Sequence, residues 1–572
     1  VFDVVIRGGQ VVDGTGAAPR LADVAIVGDR IVAIGAVDGD AATVIDASGK
    51  AVTPGFVDLH THYDAQVFWD GALTPSPLHG VTTVFAGNCG FSVAPLTDDP
   101  ADGNYLMRML ARVEGMPLEA LETAVPWDWH DTASYFEEVE PRLGINAGFM
   151  VGHSALRRAV MRADATAREA TPDELDAMRE LLRRGIEAGG MGFTTTWSRA
   201  HNDADGRMVP SRWGTRDELV ELARVAGEFE GTSLEINPKL GDFEPWVVDL
   251  MADMSSAASR PINWNLLLVS AKRADSAAEH LAADDEAARR GGRIVALTSP
   301  VSGGQLRLSL RSGVLFDSMP TWDEVMLLPH DEKTAVFRDA DARRRLDEAA
   351  QRPDNAMPFL ANWGKLTVLD VRAPENEQYV GRTIREIAEA EGARPWDVLC
   401  AIALRDDLDT GFVQAPSPIS DADWVAKAAV WRDRRVIVGG SDAGAHLDML
   451  STAAYTTHFL EAVRDHGLMD LAEAVHLLTQ VPAELYGLRE RGLLREGWKA
   501  DVVVFDPTTV APAPETMRYD LPTGAGRLVA DAIGIEHVLV NGEAIVTDGS
   551  LTAARPGALV RSGLDTANPP MR

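Results

Sequence analysis

Cysteine is nearly absent from this chain: Cys89 and Cys400 are the only two in 572 residues. Two thiols cannot make a disulfide framework, so covalent staples are excluded as the basis of the fold, and a reducing compartment is the expected setting. Positive charge is also scarce. Lys and Arg total 54 against 86 Asp and Glu, a formal net charge of -32. That balance argues against a phosphate-backbone partner, because nucleic-acid-binding proteins present a basic face. It constrains the substrate little, since the field inside a pocket can oppose the net charge. No apolar run approaches the roughly 20 residues that cross a bilayer. The N-terminal stretch, with Val4-Val5-Ile6 followed by Arg7-Gly8-Gly9, lacks the basic segment and apolar core of a secretory leader. The expectation is a cytoplasmic protein acting on a small molecule, with no nucleic-acid or membrane partner; a homo-oligomer stays open.

Several catalytic signatures are missing as well. There is no G-x-S-x-G elbow, H-E-x-x-H, C-x-x-C or P-loop. Gly14-Thr15-Gly16 follows a strand-like run but lacks the third glycine and the helix of a dinucleotide fingerprint, and reads as a hairpin turn.

What is present has a clear order. The chain exceeds one ordinary domain, and its hydrophobic fraction of 46% supports a sizeable core. The first fifty residues and the last eighty are strand-rich, with short β-branched runs punctuated by Gly and Asp turns. Both termini are therefore expected to build one small β-sandwich, from 1–51 and 491–572. Between them, apolar strand-like segments alternate with amphipathic helical ones: 52–60, 80–89, 144–154, 190–197, 232–238, 261–270, 293–300 and 435–444. Thr171-Pro172-Asp173-Glu174 and Thr215-Arg216-Asp217-Glu218 read as helix starts with capping boxes or acidic first turns. Eight such strands predict an α/β fold, a (β/α)8 barrel over 52–490; an open doubly wound sheet is the alternative. Residues 301–434 exceed what a βα unit needs and carry Trp322, Trp363, Trp396 and Trp431. They form an insertion between strands seven and eight, either a lid over the mouth or helices packed on the barrel side. The tryptophans hint at an apolar substrate portion.

The residues with chemistry cluster at predicted strand ends. His60-Thr61-His62 closes the first strand. Residues i and i+2 of a strand point the same way, so two imidazoles converge where a barrel keeps its active site, as a pair of candidate metal ligands. Asp442, in GGSDAGAH after the eighth strand, can touch a metal and take a proton from water, or it can simply cap the next helix. His446 is a second-layer group or a surface histidine. Cys89, in AGNCG after the second strand, is a thiolate ligand or an inert apolar residue. Cys400 reads as core. His153, after the third strand, either binds substrate or bonds within the core. Arg157 either meets a substrate carboxylate or sits in an ion pair.

With HTH, AGNCG and GGSDAGAH in that order, the chain resembles the amidohydrolase superfamily, and within it the D-aminoacylase branch of N-acyl-D-amino-acid deacylases. The fragments VTPGFVDLHTHYDAQ (52–66), GVTTVFAGNCGFSVAP (80–95), VGHSALRRAVM (151–161), GSDAGAHLDM (440–449), GLLREGWKADVVVFDP (492–507) and VLVNGEAIVTDG (538–549) carry the likeness. The resemblance implies a metal-dependent hydrolase of C–N bonds in which a water-derived hydroxide attacks an amide carbonyl. Asp442 would be general base and then acid, and Cys89 a metal ligand. The strand-four lysine that other branches use as a carbamate bridge is missing from GMGFTTTW (190–197).

Two departures stand out. Where the family offers histidines on strands five and six, TSLEINPK and INWNLLLV place Glu235 and Asn265. The expected ligand set becomes His60, His62 and Asp442 with Cys89 or Glu235, holding one zinc rather than two, or another divalent metal. Substrate contacts are expected from His153, Arg157, Asn265 and His446. The leading activity is N-acyl-(D-)amino acid deacylation. Hydrolysis of a cyclic amide, carbamate or other C–N bond is the alternative, followed by a binding protein that has lost catalysis.

Overall fold

The computed structural model describes residues 1–239, 241–301, 306–355, 357–414 and 419–571. All eight predicted strand segments form parallel strands. The first, second and third are Phe56–Asp58, Val81–Ala86 and Asn146–Phe149; the third continues as Val151–Gly152. The fourth to eighth are Gly192–Thr196, Ser233–Asn237, Ile262–Trp264, Ile294–Thr298 and Val436–Val438. They fall into two parallel sheets. One holds the first three strands, with the short C-terminal strand Leu559–Val560 beside Asn146–Phe149; the other runs from Val151–Gly152 through to Val436–Val438. Their residues are β-branched or small and buried on both faces, as at every position of Val81–Ala86, which is why they read as apolar runs rather than alternating ones.

The two sheets meet at both ends. The third strand passes directly from one to the other. On the far side, Thr61 pairs in parallel with Ala443, His62 N–H donates to Ala443 O at 2.7 Å, and Asp442 N–H donates to His60 O at 3.1 Å. Gly444 permits this approach: at φ +93° a Cβ there would lie 2.6 Å from His62 O.

The helix starts follow their sequence signals. Thr171 caps Pro172–Glu187 in a reciprocal capping box with Glu174. Thr215 caps Arg216–Gly227 through the Glu218 N–H, but the Glu218 side chain is turned inward instead of back to its cap. Both ends of the chain enter one nine-stranded sheet, in which Ala51–Pro54 pairs with Val502–Phe505. No helix among the described residues is long and apolar enough to cross a membrane.

The insertion at 301–434, of which 302–305, 356 and 415–418 lie outside the described residues, carries a three-stranded antiparallel sheet of Leu306–Leu308, Gly411–Gln414 and Leu366–Asp370. Trp322, Trp363 and Trp396 are buried against one another there; the Trp363 and Trp396 ring centroids are 4.6 Å apart. Trp431 instead packs on Phe459 in the main core. The tryptophans thus stabilise the insertion by burying aromatic area, and the hint of an apolar substrate site drawn from them is corrected. Arg307 ties the insertion to the loop after the eighth strand, donating its backbone N–H to Met449 O at 3.0 Å.

His79, at the end of the short helical turn Ser76–His79, joins two distant segments. Its ring donates from Nε2 to Ala530 O (3.0 Å), and its Nδ1 lies 2.8 Å from the Thr457 hydroxyl. Burial lowers its pKa to about 4. Between that value and the ordinary one near 6.5 the unfolded chain binds the proton more readily. The contribution is therefore complete above about pH 6.5 and lost as pH falls towards 4, roughly 3 kcal/mol in all. The unfolding free-energy gap between wild type and His79→Gln should narrow by about that amount from pH 7 to pH 4 in urea titrations; a gap independent of pH would contradict this account.

Candidate metal centre

The predicted cluster assembles where the two sheets meet. His60 and His62 are fully buried, and their rings lie 5.3 Å apart. Both turn Nε2 to Asp442 Oδ1, at 3.1 and 3.7 Å. Cys89 Sγ lies 3.5 Å from His60 Nε2. Ligand atoms of His60, His62 and Cys89 all fall within 4.8 Å of one another. Asp442 is the open member, its side chain 33% exposed. Cys89 and Asp442 adopt left-handed backbone at φ +54° and +53°, a conformation that costs about 1 kcal/mol or more outside glycine and persists only where the surroundings hold it. For Cys89 the holder is Glu235, whose Oε2 accepts the Cys89 N–H at 2.8 Å.

Glu235 and Asn265 both reach His60. Glu235 Oε1 stands 3.8 Å from Nδ1, the nitrogen turned away from Asp442, and Asn265 Nδ2 lies 3.3 Å from Nε2. A residue that sequence reasoning missed mirrors Glu235. Glu114, buried at the end of the helix Pro100–Val113, places Oε1 3.6 Å from His62 Nδ1. It carries no motif, and only the close packing of that helix end on the eighth-strand loop, where His446 N–H donates to Glu114 O, brings it in. Each imidazole thus has Nε2 at Asp442 and Nδ1 beside a buried carboxylate, the arrangement that orients metal-binding histidines.

The electrostatics are those of acids confined around two imidazoles. Against the cost of burial, Glu114 and Asp442 push the His62 pKa up to about 9. Burial pushes Glu235 well above its ordinary range, and burial with the nearby Glu235, Glu114 and Asp442 does the same to Cys89. Against the cost of partial desolvation, Asp442 is held well below its ordinary value by His60 and His62. His60 Nδ1, His62 Nδ1, Glu235 Oε1 and Asn265 Oδ1 are buried without a hydrogen-bond partner. The two Nδ1 atoms face Glu235 and Glu114 rather than the centre of the cluster, so it is the donor set at that centre, imidazole Nε2, thiol sulfur and carboxylate oxygen, that fits a divalent cation. Asp58, another residue without a sequence signal, secures the frame: it accepts from the Ser441 hydroxyl, and from the His60 N–H at 3.3 Å.

The structure does not bring His153 and Arg157 to this cluster. Both are buried with Glu218, and that placement corrects the expected substrate contact. His153 Nε2 donates to Glu218 Oε1 at 2.7 Å and its Nδ1 accepts from Thr195 Oγ1 at 2.9 Å. Arg157 Nη1 donates to both Glu218 oxygens at 2.6 and 2.7 Å, and Nη2 to Arg168 O. Burial keeps His153 below its ordinary pKa, so it is neutral and Arg157 balances Glu218. His446 sits beside the cluster with a buried, unpartnered Nδ1 and its backbone at φ +51°. Cys400 is core, as read. Removing the carboxylate in Glu218→Ala would strand Arg157, at a cost of about 3–5 kcal/mol; a denaturation midpoint equal to wild type would contradict the role assigned to this cluster.

Known proteins resemble this chain over most of its length. The amidohydrolase family model matches residues 43–546. The N-acyl-D-glutamate deacylase of Alcaligenes xylosoxydans xylosoxydans is 31% identical, with the match covering 100% of this chain and 98% of that protein. The D-aminoacylase of the same organism is 27% identical over 98% and 97% of the two chains. Among solved structures, a D-aminoacylase described by its binuclear metal centre, with one-metal activation and second-metal attenuation, superposes with a TM-score of 0.66 at 26% identity, over 98% of this chain and 100% of that one. The N-acyl-D-glutamate deacylase of Bordetella bronchiseptica, complexed with zinc and a phosphonate mimic of the tetrahedral intermediate, gives a TM-score of 0.65 at 26% identity over the same shares. This chain belongs to the amidohydrolase family, in its D-aminoacylase-like branch.

Proposed function

We propose that the protein is a metal-dependent deacylase of N-acyl amino acids, working at the C-terminal mouth of a (β/α)8 barrel closed by the Thr61–Ala443 pairing. On this reading 1–51 and most of 491–572 form the sandwich, 52–490 the catalytic body, and the protein acts on a small molecule in the cytoplasm. The observation that carries the proposal is the convergence of His60 Nε2, His62 Nε2, Cys89 Sγ and Asp442 Oδ1. The family relatives named as deacylases support it.

His60, His62, Cys89 and Asp442 would hold a single divalent ion, zinc being the first choice, with Glu235 and Glu114 orienting the two imidazoles instead of binding the ion themselves. Such an ion supplies Lewis acidity towards an amide carbonyl and towards water. The rest is done by the chain. Asp442, the solvent-facing carboxylate, accepts the proton that water releases as its oxygen attacks the carbonyl carbon. It returns that proton to the nitrogen as the C–N bond breaks, so that a carboxylic acid and a free amine leave. Neither step needs a serine or cysteine nucleophile, in keeping with the motifs missing from the sequence. A second reading, a cyclic amide or carbamate as substrate, draws on Glu235 and Asn265 beside His60 in place of histidines.

Protein purified without chelator should contain about one divalent ion per chain; a content far lower that zinc cannot restore would remove the metal from the proposal. In a panel of N-acyl-D- and N-acyl-L-amino acids, release of free amino acid is expected from at least some members, and release from none would leave the cyclic-amide reading. Asp442→Asn should lower kcat about 10²–10⁴-fold with an unchanged circular dichroism spectrum. Turnover near wild type would take the proton-transfer role away from Asp442.

A further inference from the structure

Beside the cluster, between the segments that follow the fourth and fifth parallel strands, opens a cavity of about 520 Å³, a size suited to a small ligand. Trp197 directly follows Thr196. Pro238 directly follows Asn237, whose amide donates to Cys89 Sγ at 3.7 Å. His201 links the two regions: its Nδ1 bonds Thr196 Oγ1 at 2.8 Å, and it lies within electrostatic reach of His62, His446 and Asp442.

The cavity wall combines two kinds of surface. One is aromatic. The Trp197 and Trp246 rings meet at a centroid distance of 5.1 Å and an angle of 57°, and Trp246 is 45% exposed. The other is cationic, from Arg199, Arg212 and Lys239. Arg212 is held by neutral acceptors alone: its Nη1 donates to Asn202 Oδ1 at 3.0 Å, His201 O at 3.3 Å and Arg199 O at 3.5 Å. Among the described residues, neither Arg199 nor Arg212 has a carboxylate in ion-pair contact, although acids outnumber bases in this chain by 86 to 54. Arg183, on an outer helix, shows the ordinary outcome, a 2.8 Å pair with Glu228. Lys239 is already engaged by Glu244 at 2.8 Å. Glu244, on the same wall and engaged by Lys239, lies within electrostatic reach of Arg199 but makes no ion-pair contact with it. The neighbouring Arg199 and Arg212 guanidinium groups repel each other, and a bound anion relieves that repulsion by bidentate hydrogen bonding.

We propose that this cavity is a subsite for a carboxylate carried on a flat apolar group, with Arg199 and Arg212 taking the carboxylate and Trp197 and Trp246 the apolar face. Resting on the deacylase reading, it names the substrate class: N-acylated aromatic amino acids, in preference to N-acylated glutamate or aspartate. A second carboxylate would lie against the indoles with no free cation to meet it, since Lys239 is taken, and a charge desolvated without a partner is unfavourable. An aromatic side chain stacks there.

The test separates the subsite from the deacylase reading by using 3-phenylpropionate, which has no C–N bond to cleave, and 3-phenylpropionamide, in isothermal titration with the whole protein. Wild type should bind the acid about tenfold or more tighter than the amide. Arg212→Met should abolish that preference, a loss of about 10- to 100-fold in affinity for the acid. Because Arg212 also holds its loop, Arg199→Met serves as the second variant, and Trp246→Ala should weaken acid and amide alike. Arg183→Met should bind as wild type. Equal binding of acid and amide, or wild-type affinity in both subsite arginine variants, overturns the subsite. In turnover, N-acetylphenylalanine should exceed N-acetylglutamate in kcat/KM, with KM raised by Arg199→Met; the reverse preference also overturns it. If no N-acyl amino acid is hydrolysed while the titrations follow the expected pattern, the deacylase reading fails and the subsite stands.

Discussion

The backbone pairing between the His60–His62 segment and the loop at Asp442–Gly444 is the constraint on which the rest of the centre depends. Three residues before this loop and four after the first strand would otherwise be irregular chain at the end of two sheets. Instead Asp442 N–H reaches His60 O and His62 N–H reaches Ala443 O, and the Ser441 hydroxyl closes on the buried Asp58. The same hydrogen bonds that satisfy buried peptide groups thereby aim two imidazoles and a carboxylate at one point. A side chain on a free loop could not be held so closely; here His60, His62 and Asp442 each take part in, or adjoin, these backbone hydrogen bonds.

Around that point the chemistry is arranged in layers. The inner atoms are imidazole nitrogen, thiol sulfur and the Asp442 carboxylate. Behind them stand Glu235 and Glu114, each facing the far nitrogen of one ring. Further back, Glu218 gathers His153 and Arg157. Three consecutive threonines on the fourth strand are buried with their hydroxyls satisfied, and only the middle one joins this outermost group: Thr194 bonds the second-strand loop, Thr195 the His153 ring and Thr196 the His201 ring. Acid placed behind a ligand raises its basicity and fixes its tautomer, so two acidic residues confined in the dark of the protein need not be ligands to matter.

Much of this was legible in the sequence, for physical reasons. The eight strands were readable because strands buried on both faces must be continuous apolar runs, and HTH was readable because the bridge at Thr61 keeps the two-residue repeat of extended chain beyond the strand's end at Asp58. Asp442 followed from its place after the last of those runs. The missed residues lack any such periodic signal. Glu114 ends a helix far from every motif, and Asp58 hides inside VDL. Glu218 looked like half of a capping box because local pattern cannot tell whether a glutamate turns back to its cap or inward to an arginine from another helix. The insertion tryptophans misled in the opposite direction: an aromatic-rich segment has the same composition whether it lines a pocket or fills its own small core.

The shared sheet of the two termini has a further consequence for how the molecule is made. Ala51–Pro54 cannot acquire its neighbour Val502–Phe505 until the whole stretch between them has left the ribosome. Until then the early strands present an open edge, the kind of surface that invites pairing with another chain. The eight parallel strands therefore form between two parts of an unfinished sheet, whose completion is timed by the synthesis of Val502–Phe505 rather than of Ala51–Pro54.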